Sequence, residues 1–125
     1  MKRWRNYGSV WTLWPNRPIG LIEMIGGTYL ASRPQLSYRK LLESIAEKNI
    51  AVHTWQYLPG LDHQAQSNQA WKEFRKSREL LEKRVGTEIP KSIRMGHSLG
   101  CKLHLLAPDG GRNSKALIAI SFNNF

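Results

Sequence analysis

SIRMGHSLGCKLHLLAPDGG, residues 92–111, is the stretch on which the fold turns. At its centre stands Gly96-His97-Ser98-Leu99-Gly100, a serine with a glycine two residues away on each side. SIRMGHS (92–98) reads as a short strand and LGCKLHLLA (99–107) as a short helix leaving it. A serine at such a junction is forced into a tight, strained turn, and side chains at the flanking positions would collide with the neighbouring strand and helix. Glycine at 96 and 100 removes both clashes and leaves the Ser98 hydroxyl proud of the sheet's carboxyl edge. Cys101, a small residue, suits the same crowding. The competing reading is a glycine turn with an exposed serine. A strand entering and a helix leaving favour the nucleophile elbow.

Working outward, the rest of the chain supplies alternating strands and helices. SVWTLW (9–14) is β-branched and aromatic and is closed by the turn PNRP (15–18). IGLIEMI (19–25) is a buried strand leading into Gly26-Gly27. LSYRKLLESIAEKN (36–49) places Tyr38, Leu41, Leu42, Ile45 and Ala46 at helical spacing, with Ser37 to cap its start and Asn49 its end. IAVHTWQYL (50–58) is the next strand, ended by Pro59-Gly60. SNQAWKEFRKSRELLEKRVG (67–86) is the longest helix, with Trp71, Phe74, Leu81 and Val85 on one side and Gly86 just past its end. KALIAISF (115–122) is a nearly continuous apolar run, as in a strand covered on both faces. The order predicts an α/β fold: a mostly parallel sheet between two layers of helices, in a single domain over residues 1–125. Ser92 and Arg94 fit this poorly, being polar for a central strand.

Bulk composition narrows the function classes. The 125 residues include 41% hydrophobic ones and five tryptophans, which excludes a disordered chain. One cysteine excludes an internal disulfide framework and fits a reducing compartment. The basic start, MKRWRNYGSVWTLW, has no signal-peptide core, and no run of about 18 apolar residues suggests a membrane span. The expectation is a cytoplasmic protein, or a stromal one in a plastid-bearing cell. Net charge is +10, which raises nucleic-acid binding. The only dense basic cluster, Lys72 to Arg84, is interrupted by Glu73, Glu79 and Glu82, the pattern of a solvated helix face. No nucleic-acid partner is therefore expected. No His, Cys and acid spacing suggests a metal, and no glycine-rich loop suggests a nucleotide; no cofactor is expected.

IEMIGGTYLASRPQLSYRKLLE, WQYLPGLDHQAQSNQAW, GHSLGCKLHLLAPDGG and ISFNNF together resemble the α/β-hydrolase superfamily, and within it the cyanobacterial and plastid family called domain of unknown function 1350. The resemblance runs over essentially the whole chain. It implies an eight-strand, mostly parallel sheet and an ester, thioester or amide substrate. It implies Ser98 as nucleophile and an oxyanion hole made of the Leu99 amide and a second amide from the Gly26–Tyr29 loop, Gly27 or Thr28. In the superfamily the acid and the histidine follow the serine on later strands. Here only Asp109 and His104 follow Ser98, one at the far end of the short helix and the other carried down it. Neither is expected to serve Ser98, so the sequence reads as an N-terminal portion lacking the last strands and the lid.

The remaining histidines carry two readings each. His97 belongs to the elbow and His53 to mid-strand, both expected to be structural. Asp62-His63 lies in a loop at the carboxyl end of its strand, where it is either a substrate-side pair or polar decoration of a turn. Thr28 is a further substrate-side candidate. The expected function is acyl transfer by a serine hydrolase on a small-molecule substrate, with this chain inactive by itself. The alternative is a non-catalytic binding or scaffold protein that keeps the hydrolase core. An apolar last strand also leads to an expectation of self-association through its edge.

Overall fold

The computed structural model describes residues 3–121. Its six strands form one sheet in the order β1-β2-β4-β3-β5-β6. A hairpin of β1 (Arg5–Tyr7) and β2 (Val10–Leu13) lies antiparallel along one edge, β2 pairing with β4 (Ile50–Trp55). From there β4, β3 (Gly20–Ile25), β5 (Ser92–His97) and β6 (Ser114–Ile120) run parallel. The mostly parallel α/β sheet expected from the sequence is therefore present. β1 escaped the sequence reading because Arg-Asn-Tyr is short and mostly polar, and no period can be read from three residues.

Alternation along β3 shows how the two helical layers are held. Ile22 and Met24 face Leu42 and Ala46 of α2 (Arg39–Ala46), together with Leu13, Val52 and Met95. Ile25 faces the other way, towards Ala70 and Phe74 of α3 (His63–Val85) and Leu103 of α4 (Leu99–Leu105), with Trp55 and Tyr57 stacked 4.5 Å apart between them. Each such buried large side chain contributes about 1.5–3 kcal/mol relative to an exposed one. Among the described residues, no helix is long and apolar enough to cross a membrane.

The main departures from the sequence reading are in the helix expected over 36–49, at the start of α3 and at the end of β4. The single helix expected over 36–49 is two, α1 (Pro34–Ser37) and α2, broken at Tyr38. Proline preset the first turn of α1, so the helical start moved ahead of Ser37. Ser37 caps neither helix, and Asn49 lies beyond the helix end at φ 64°. α3 begins four residues earlier than expected because the Asp62 carboxylate accepts the Ala65 N–H at 3.0 Å. Gly86, at φ 86°, ends it as foreseen. β4 stops at Trp55, and the next residues cross to the β3 loop, Tyr57 N–H meeting the Ala31 carbonyl.

The polar residues of β5 also find their reason. Ser92 and Arg94 face not a dry core but a cavity of about 310 Å³ between α3, α4 and the sheet. The Arg94 guanidinium bridges both oxygens of Asp109, at 2.9 and 2.7 Å, and Ser92 donates to Glu23 at 2.6 Å. Asp109 also accepts the Gly111 and Asn113 amides. One buried ion pair thus ties the turn after α4 to the middle of the sheet, which also fixes where β6 begins. Burial holds the Glu23 carboxyl above its ordinary range, while the Arg94 hydrogen bonds hold Asp109 well below it.

Two buried histidines set the response to acid. His53 accepts the Trp14 indole N–H, and His104 Nε2 lies 3.0 and 3.1 Å from the Glu23 and Met95 carbonyls. Burial pushes both down to about 3. The unfolded chain takes up a proton on each near pH 6.5, the folded chain only near pH 3. Between those limits each histidine favours unfolding by about 1.4 kcal/mol for every pH unit of acidification. Asp109 adds its loss only below about pH 4. The urea midpoint should therefore hold steady above pH 7 and fall steeply between pH 6.5 and 4.5, less so in a His53→Gln variant. A midpoint unchanged from pH 7 to 5 would contradict this.

Candidate active site

Parallel pairing of β4, β3 and β5 brings their carboxyl ends to one edge of the sheet, and the loops that follow them converge there. Ser98 stands between β5 and α4 with φ 55° and ψ −120°, in the left-handed half of backbone space that a side chain disfavours. Its amide donates to the Ile120 carbonyl at 3.0 Å, so β6 holds the turn from one side. Glycine is demanded on both flanks. A Cβ at residue 96 would lie 2.6 Å from the Cys101 N and Cα, and one at residue 100 would land on the Ile25 carbonyl. Cys101 is buried in the same contact, its Sγ 3.8 Å from the Ile120 carbonyl, and burial raises its thiol pKa.

The Gly26–Tyr29 loop meets this elbow directly. A Cβ placed on Gly27 would be 3.2 Å from Ser98 Cβ. The Gly27 N–H, however, donates to Tyr38 Oη at 2.9 Å. Gly27 as oxyanion donor therefore needs correction, because its amide already has a strong acceptor. Thr28 N–H makes no hydrogen bond to a described residue, and Leu99 N–H, at the first position of α4, has no acceptor within its helix. Those two amides are the open donors beside Ser98.

Around them the side chains are organised by tyrosine. Tyr38 Oη is 2.7 Å from His97 Nδ1, with the two rings edge to face, and Tyr57 donates to the Gly26 carbonyl at 2.7 Å. Burial raises the phenol of Tyr38 and pushes that of Tyr57 up further, so both remain protonated. Sequence reasoning missed this pair: Tyr38 was legible only as an apolar helical position, and nothing local marked Tyr57.

The other candidates are spread out. Asp62 caps α3 and His63 is its first residue; no hydrogen bond joins either to Ser98. Asp109 is held by Arg94, and His104 is buried against the sheet beneath α4. Among the described residues no side chain hydrogen-bonds Ser98 Oγ, and no group of His, Cys, Asp and Glu could hold a metal ion. This arrangement can present a hydroxyl and two amide donors to a carbonyl.

Solved structures share this framework. TT1662 from Thermus thermophilus superposes with a TM-score of 0.65 at 20% identity, over 100% of this chain and 58% of its own. The Francisella virulence factor BioJ gives 0.73 at 16% identity, and the esterase Est22 gives 0.72 at 16%, each over 98% of this chain and 44% of its own. The chain thus spans about half the length of these proteins. At such identities the likeness is one of fold. No curated protein matches the sequence. A family model described as "Protein of unknown function (DUF1350)" matches residues 3–125, and the chain belongs to that family.

Proposed function

We propose that Ser98 is the nucleophile of a serine hydrolase acting on an ester, thioester or amide of a small molecule. The observation that carries this is the backbone of Ser98, φ 55° and ψ −120°, at the carboxyl end of a parallel strand and the head of a helix. Strain of this kind costs of order 1–3 kcal/mol and persists where the surroundings over-determine it. Here Gly96 and Gly100 do so.

In this reading Ser98 Oγ attacks the substrate carbonyl carbon and its proton passes to a base. The Leu99 and Thr28 amides take the developing oxyanion, which requires donors about 2.7–3.1 Å from it. Collapse expels the alcohol, thiol or amine, which leaves with that proton, and water then releases the acid by the same route in reverse. The base and its acid lie outside the described residues, in keeping with the order serine, acid, histidine. The likeness to esterase Est22 supports the reaction class. The single buried thiol, Cys101, supports a cytoplasmic setting. A second reading, a non-catalytic binding protein on the same core, is favoured by the absence of any described partner for Ser98 Oγ.

The whole protein that carries this chain should be labelled by a fluorophosphonate at Ser98, and Ser98→Ala should abolish labelling. The 125-residue chain alone should hydrolyse p-nitrophenyl esters at background, since general-base help is worth about 10²–10⁴ in rate. An unlabelled whole protein would leave the binding reading. Turnover by the short chain that Ser98→Ala removes would place the base within it, His63 first.

β6 supports a further proposal, self-association. It pairs only with β5 among the described residues, Ile118 is 42% exposed, and neither charge nor proline interrupts Ala116 to Ile120. Light scattering on the 125-residue chain should show mass rising with concentration, reversed by Ile118→Lys. A monomer at all concentrations would refute it.

A further inference from the structure

We propose that Tyr38, braced by His97 and opposed by Tyr57, is a positioning residue for the oxyanion hole; this rests on the hydrolase reading of Ser98. The two ends of a single peptide group are involved. Its carbonyl, Gly26 C=O, accepts from Tyr57 Oη at 2.7 Å, and its amide, Gly27 N–H, donates to Tyr38 Oη at 2.9 Å. A peptide plane held at both its oxygen and its hydrogen cannot rotate. The next amide along the chain, Thr28 N–H, is reached through one pair of backbone dihedrals from that plane, so its direction is inherited from the clamp.

His97 ties the clamp to the nucleophile. Tyr38 Oη accepts from Gly27 N–H and shares a second hydrogen bond with His97 Nδ1, 2.7 Å away. Residue 97 immediately precedes Ser98, so the chain from Gly26 through Tyr38 to the elbow is continuous. The fit leaves no slack: a Cβ on Gly26 would lie 2.6 Å from Tyr38 Cε2, and one on Gly27 3.2 Å from His97 Nδ1. The helix gives way to this arrangement, breaking at Tyr38, where φ is −114° and ψ 20°. A residue serving only as an apolar helical position would not need that break.

The consequence is kinetic. Oxyanion donors act by being aimed in advance, and losing one costs about 10²–10³ in kcat. Freeing the peptide without deleting the donor should cost less, about 10–100-fold, and should fall on kcat, as the loss of an interaction made only in the transition state does.

Two measurements test the clamp and its consequence separately. In Tyr38→Phe, which keeps the ring and removes only the hydroxyl, hydrogen exchange of the Gly27 amide should quicken at least about 10-fold. In the whole protein, the same variant should lower kcat about 10–100-fold with KM within about twofold, and slow fluorophosphonate labelling of Ser98 in parallel. Tyr57→Phe, which loosens the same peptide from its carbonyl side, should give the same pattern, and Tyr7→Phe, remote from the site, should give neither. Unchanged Gly27 exchange in Tyr38→Phe would overturn the clamp while leaving Ser98 chemistry standing. Faster exchange with unchanged kcat would overturn the positioning role. Wild-type turnover indifferent to Ser98→Ala would overturn the hydrolase reading and the catalytic role with it, and Gly27 exchange would still report the clamp.

Discussion

No atom fits between Gly100 and the Ile25 carbonyl, and the fold is arranged around that contact. It forces α4 to start flush against the end of β3, which leaves one residue, Ser98, to reverse the chain. The reversal holds because its neighbours allow nothing else: Gly96 admits the Cys101 backbone, and the Ile120 carbonyl takes the Ser98 amide. Three strands therefore share responsibility for a single pair of dihedral angles. The strain is local, but what maintains it is spread over β3, β5 and β6.

Farther from the turn, the same strands β3 and β5 are held by a different kind of force. Arg94, Asp109, Glu23 and Ser92 form a buried polar cluster under the α3 face. Buried pairs of this sort add little net stability, yet removing one partner is costly because the other charge is left bare. Their value here is geometric. Asp109 organises the turn after α4 by accepting two of its amides, so the pair decides where the chain re-enters the sheet as β6. An apolar substitute could fill the volume without fixing that turn.

What could be read from the sequence follows from which signals are local. The parallel core was legible in IGLIEMI and IAVHTW, because strands buried on both faces leave continuous apolar runs. The elbow was legible because two glycines and a serine at fixed spacing encode a steric requirement within five residues. The helix over 36–49 was misread as continuous, since Tyr38 keeps the helical period while its hydroxyl answers to Gly27 and His97. Nothing near Gly27 in sequence shows that a tyrosine eleven residues on accepts its amide. Asp62, which the sequence left open between a substrate-side role and a turn, caps α3 five residues ahead of the helical start expected at Ser67. Side-chain bonds across elements leave no periodicity, and the roles of Tyr38 and Gly27 both turned on one.

Cys101 gives the elbow a built-in clock. Its thiol is fully buried between the glycine contact and the Ile120 carbonyl, and it is the chain's only sulfhydryl. A thiol reagent can reach it only when α4 or β6 lifts from that contact. The pace at which such a reagent is consumed therefore reads out how often the turn at Ser98 comes apart. Because no second cysteine contributes, that pace can be followed in unmodified protein, without a label that would itself disturb the packing.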